Sequence, residues 1–273
     1  MQNLKTVVLL AALSGLLIAI GGAIGGLGGV IVFAVIAAAM NFASYWFSAS
    51  IVLKTSRAKE IQRKDDPQLF AMIEEVAARA SMPMPRVYVM NSPQPNAFAT
   101  GRNPKHAAVA VTTGIRELLN DRELRGVLGH EMAHVKNRDI LTSSIVATIA
   151  SAISMISWIA FFSGGRRGSG WASLLAVIVA PIAATLIQLA ISRSREYQAD
   201  TVGAQIVHDP EALASALQKL HMGAQRIPMA VPESTAHLYI VNPLRGGGVT
   251  GLFSTHPPLE QRIERLRRMA GRG

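Results

Sequence analysis

From residue 6 to residue 53 the chain carries not one charged side chain, and no other feature limits its possible folds so sharply. About 20 apolar helical residues cross a bilayer core of about 30 Å, so this run has room for two spans. Residues 21–29, six of them glycine, supply the expected hinge between them. A cleaved signal peptide competes for the same residues, because Lys5 followed by an apolar stretch has the pattern of a signal sequence. Apolar sequence running far past any cleavage point argues against it. The second span ends in Tyr45, Trp46 and Lys54, aromatic and basic residues of the kind that gather at a membrane interface.

Two more uncharged runs, residues 140–162 and 171–191, flank the short loop 163–170 and form a second predicted hairpin, kinked at Pro181. The chain is thereby divided into two N-terminal spans (6–53), a first soluble part (54–139), a transmembrane hairpin (140–191) and a second soluble part (192–273). Composition agrees: 50% of residues are hydrophobic, mean hydropathy is +0.30, and only 16% are charged, against roughly 25% in a typical soluble chain.

Four spans place both soluble parts on one side of the membrane. Lys5, Lys54, Arg57, Lys59, Arg63 and Lys64 flank the spans there, against Arg166 and Arg167 in the opposite loop, so the positive-inside rule puts the soluble parts in the cytoplasm. The formal net charge of +10 is thus accounted for by membrane flanks. Nucleic acid is not expected as a partner, since no zinc finger or RNA-binding signature accompanies the charge. A transporter is disfavoured because the spans hold no ionisable residue to mark a path.

Within the first soluble part, a helix is expected over residues 67–80 and strands over 86–90, 96–100 and 107–112. A charged helix follows, capped by Asn120 or Asp121. It carries His130-Glu131-Met132-Ala133-His134. On a helix, positions four apart share a face, so both imidazoles can reach one ion while Glu131 projects toward a water beside it. Surface histidines on an amphipathic helix are the competing interpretation. The absence of cysteine leaves His and carboxylate as the possible ligands, and a catalytic zinc needs three protein ligands and an open position. Asn137 and Ile140 stand where a metzincin would have Gly and His, so that class is excluded. A carboxylate from a downstream helix is the remaining common choice. Glu196 and Asp200, one turn apart, offer a third ligand and an acceptor for the N–H of a ligating histidine. Without the upstream motif they would read as a solvated pair. The remaining histidines, His106, His208, His221 and His237, have no ligand-like neighbour at helical spacing and read as surface or packing residues.

These motifs together resemble those of the HtpX-type membrane metalloproteases, relatives of the eukaryotic CAAX prenyl proteases. The resemblance spans nearly the whole chain: the N-terminal spans, Asn96-Ala97-Phe98-Ala99-Thr100-Gly101, His130 to His134, the hairpin, Glu196 to Asp200, and Ser254-Thr255-His256-Pro257-Pro258 before a last helix at 259–268. It implies an α+β, mainly α architecture, with four transmembrane helices and a zincin-like (gluzincin) domain holding a small β-sheet. It implies one zinc per chain held by His130, His134 and Glu196, with Glu131 as base. It implies an endopeptidase of the bacterial inner membrane that degrades misfolded or damaged membrane proteins under envelope stress. By the same resemblance Asn96, Ala97, Phe98 and Ala99 form an edge strand for substrate, and His256 and Arg262 a downstream pair whose histidine would steady an oxyanion. A silent metal-stabilised scaffold or chaperone is the alternative of another class, and a prenyl-peptide protease the alternative within the enzyme class. Glu131 speaks against the first, because a structural zinc needs no base, and four spans are few to enclose a chamber for the second.

Overall fold

The computed structural model describes residues 2–137, 139, 141, 193–226, 240 and 257–271. The two spans expected past residue 139 therefore lie, except for Leu141, outside the described residues, as does His256.

Helix α1 (Gln2–Thr55) is broken at Gly25 and Gly26, whose backbones are non-helical, with φ of 54° at Gly26. Glycine is the residue that accepts such a dihedral without a Cβ clash. The two halves fold back on each other: Asn41 Nδ2 donates to Ser14 Oγ at 2.8 Å, and a Cβ on Gly29 would fall 1.9 Å from the Gly21 carbonyl oxygen. Among the described residues one segment, Gly25–Thr55, is long and apolar enough to cross a membrane. Its end does not hang free. Val52 and Leu53 are buried against Tyr88, Met90, Phe98, Ala108 and Ala110 of the sheet.

That sheet is mixed and four-stranded, in the order β1 (Lys59–Glu60), β2 (Arg86–Met90), β4 (Ala108–Thr112), β3 (Ala97–Thr100). Strands β2 and β4 run parallel, and β1 and β3 pair antiparallel on either side. Alternation along each strand sends side chains to opposite faces. Val87, Ala97, Ala99, Val109 and Val111 thus join the main helical core, while their neighbours meet the end of α1.

Helix α2 (Pro67–Arg79) starts where Asp66 accepts the Leu69 N–H at 3.0 Å and Pro67 needs no partner for its nitrogen. A short helix α3 (Thr113–Leu118) follows β4 directly. Helix α4 (Asp121–Asn137) opens on a reciprocal cap: Asn120 Oδ1 accepts the Glu123 N–H at 2.9 Å and Glu123 Oε2 accepts the Asn120 N–H at 3.1 Å. A 3-10 turn (Pro104–His106) joins β3 to β4, and helices α5 (Arg193–Val207), α6 (Pro210–Arg226) and α7 (Leu259–Ala270) complete the described elements. Helix α4 lies at the centre, against α2, α5, α6 and β3. Close approach is possible because Gly126 faces the backbone of Leu213 on α6, and Gly129 faces Gly203 on α5.

Candidate metal centre

Packing of α4 between its neighbours carries His130 and Glu131 into the interior, at 1% and 3% exposed, while the His134 side chain keeps 18% of its exposure. The four-residue spacing brings the two Nε2 atoms within 3.2 Å. Glu196, in the first turn of α5, closes the group, with Oε1 3.4 Å from His134 Nε2 and Oε2 3.8 Å from His130 Nε2. Donors around a tetrahedral zinc at about 2.1 Å stand about 3.4 Å apart. Two imidazole nitrogens and a carboxylate at this spacing therefore fit one ion. Among the described residues these three offer ligand atoms that all lie within 4.8 Å of one another.

The outward nitrogens of both imidazoles face carboxylates. His130 Nδ1 lies 2.9 Å from Asp200 Oδ1. Arg262, 2% exposed, forks onto the same Asp200, its Nε donating at 2.8 Å and a terminal nitrogen at 2.7 Å, and lies 3.8 Å from Glu196. His134 Nδ1 lies 3.6 Å from Asp139 Oδ2, whose other oxygen is 3.8 Å from Arg195. Asp139 and Arg195 are the members that the sequence did not single out. Nothing in their spacing marks them, since they meet across 56 residues of chain only because α4 and α5 are packed together.

Electrostatics follow from burial. Burial pushes Glu131 up to about 8, the Glu196 charge adding to the effect while His134, the Ala99 N–H and Arg262 oppose it. A carboxyl so dry ionises fully only when a cation comes near. Burial would raise Asp200 as well, but the charge and fork of Arg262 outweigh it and hold that group at about 2. Burial lowers His130. It works in the same direction on His134, where the facing Asp139 and Glu196 carboxylates prevail and lift the imidazole to about 10.

Strand β3 borders this group. Asn96 is wholly buried, its carbonyl accepting the Thr112 N–H at 3.0 Å and its N–H donating to Thr112 Oγ1 at 2.8 Å. Phe98 points to the α1 side of the sheet, away from the histidines, while Ala97 and Ala99 belong to the face packed on the helices. The outer edge of β3 is engaged: the Ala99 N–H donates to Glu131, and the Ala97 carbonyl accepts the Ile240 N–H at 3.2 Å.

Residues 63–270 match the model of peptidase family M48. The chain is 53% identical to the protease HtpX homolog of Methylibium petroleiphilum over 274 residues, covering 97% of both chains. It is equally similar to that of Ralstonia pickettii, at 53% over 278 residues, 99% of this chain and 97% of the relative. In fold it is similar to the crystal structure of S. mikatae Ste24p, with a TM-score of 0.53 at 18% identity, covering 97% of this chain and 65% of that one.

Proposed function

This chain belongs to peptidase family M48 and is a metalloprotease, and from that premise we propose that it is a zinc endopeptidase of the bacterial inner membrane whose substrates are misfolded or damaged membrane proteins. The observation that carries the zinc assignment is the triangle of His130 Nε2, His134 Nε2 and Glu196 beside the buried Glu131. Three protein donors leave a fourth position for water or substrate, as catalytic rather than structural zinc requires. Zinc, when bound, supplies Lewis acidity toward a water and a peptide carbonyl.

The chain's own residues do the remainder. Glu131 takes the proton of the attacking water and returns it to the leaving amine. Asp200, held by Arg262, fixes His130 in the tautomer that leaves Nε2 free for a metal. Asn96, Ala97, Phe98 and Ala99 lie along the strand that would align a substrate backbone beside Glu131, and His256 would steady the developing oxyanion.

Docking of Val52 and Leu53 against the sheet supports a membrane-surface location, since it ties the catalytic core to the end of an apolar helix of membrane-spanning length. The basic residues from Lys54 to Lys64 just beyond that helix support a cytoplasmic orientation. Four spans, two of them from residues 140–191, remain part of this proposal. Capture of substrates by Glu131→Gln in native membranes tests it. Enrichment of membrane proteins is expected. A captured set made only of soluble proteins would refute the assignment of substrates.

A further inference from the structure

Each ligating imidazole of such a centre needs its second nitrogen held, because a ring free to rotate or to change tautomer presents the metal with the wrong atom. For His130 the holder is Asp200, itself gripped by Arg262. We propose that Asp139 is the corresponding positioning residue for His134, and that Arg195 holds Asp139 in place.

Asp139 faces His134 Nδ1 at 3.6 Å, on the side of the ring opposite the Nε2 that lies 3.4 Å from Glu196. Its side chain is only 4% exposed. A carboxylate that dry is costly unless a cation or donor faces it. Arg195, its side chain 7% exposed, provides that cation at 3.8 Å. Arg195 also directly precedes Glu196 in the first turn of α5. The pair therefore joins the carboxylate behind the second histidine to the helix bearing the third ligand. His134 and Glu196 come from different parts of the chain, and this bridge contributes to holding their separation. The two histidines have parallel supports: His130, Asp200 and Arg262 on one side, His134, Asp139 and Arg195 on the other.

This inference rests on the zinc assignment, and the test separates the two. Full-length protein in detergent is compared as wild type, Asp139→Asn, and Asp139→Asn combined with Arg195→Met. The double variant removes both buried charges together, so neither Asp139 nor Arg195 is left facing the other's empty place. Zinc affinity is measured by chelator competition, ligand geometry by the visible spectrum of the cobalt-loaded protein, and folding by the melting temperature of the zinc-free form. The expected result is a roughly 10- to 100-fold loss of zinc affinity in both variants, with altered cobalt bands and, in the double variant, a wild-type melting temperature without zinc. Affinities within twofold of wild type and an unchanged cobalt spectrum would overturn the positioning role and leave a plain structural ion pair. Wild-type protein that binds no zinc would overturn the metal assignment itself.

Discussion

Gly203 stands so close to His130 that a Cβ added to it would lie 2.7 Å from the His130 backbone nitrogen, and one on Gly129 would lie 2.8 Å from the Gly203 carbonyl oxygen. This crossing of α4 and α5 sets the depth of the candidate centre. Gly203 follows Glu196 by two helical turns and so shares its face, and Gly129 adjoins His130. Gly203→Ala should push the helices apart and draw Glu196 away from the histidines. Overpacking of this kind costs about 1–3 kcal/mol. Melting temperature should fall in the zinc-free protein and zinc affinity should fall with it. A variant that melts early but binds zinc normally would show that the crossing supports the fold without setting the ligand distance.

Glu131 is buried beside the ligand group, and its amide analogue keeps the size while losing the proton acceptor. Glu131→Gln is expected to retain zinc and lose roughly 10²- to 10⁴-fold in cleavage of an unstructured substrate such as casein in detergent. Activity within a fewfold of wild type would remove Glu131 from the chemistry. Loss of metal together with activity would make it a structural member of the centre.

Glu123 anchors the start of the motif helix from within. Its carboxylate accepts Ser215 Oγ at 2.7 Å, Lys219 Nζ at 2.8 Å and the Asn120 N–H at 3.1 Å. Burial works to raise its pKa, but the hydrogen bonds from Lys219, Ser215 and Asn120 prevail and hold it below the ordinary carboxyl value. A depressed native pKa adds stability that is fully present above the unfolded value of about 4.3 and is lost as pH falls through the native one. Glu123→Gln should therefore cost about 1–2 kcal/mol near pH 7 and progressively less under acid. Melting curves from pH 7 down to pH 3 check this: the gap between variant and wild type must close on acidification. Two parallel curves would mean that Glu123 gains nothing from its charge.

The elements legible in the sequence are those with a local signature. Strand β2 is observed at the expected Arg86–Met90, and α2 and α4 begin at residues whose side chains cap them. The His130 and His134 pair was legible for the same reason, since a helical repeat alone brings it together. Strand β1 left no trace because it is two charged residues, Lys59–Glu60, made a strand only by pairing with Val89 and Tyr88. Helix α3, at six residues, is too short to show a period. Glu196 could be picked out only because the motif demanded a third ligand. Asp139, Arg195 and Gly203 act through helix packing between distant parts of the chain, and no sequence period encodes that.

Ile240 is 2% exposed, and its N–H donates to the Ala97 carbonyl on the outer edge of β3. A substrate backbone that adds to this edge needs the same carbonyl, because the strand's alternate groups, such as the Asn96 carbonyl, are already paired with β4. Peptide and Ile240 therefore compete for Ala97. Hydrogen exchange on the Glu131→Gln protein, which holds peptide without cutting it, reads this directly. Exchange of the Ile240 amide should speed up when an unstructured peptide is added to saturation, while the Thr112 amide, bonded to Asn96 on the other side of β3, should stay protected. Unchanged or slower exchange at Ile240 would mean that the substrate pairs elsewhere, and would remove Ala97 from the binding strand.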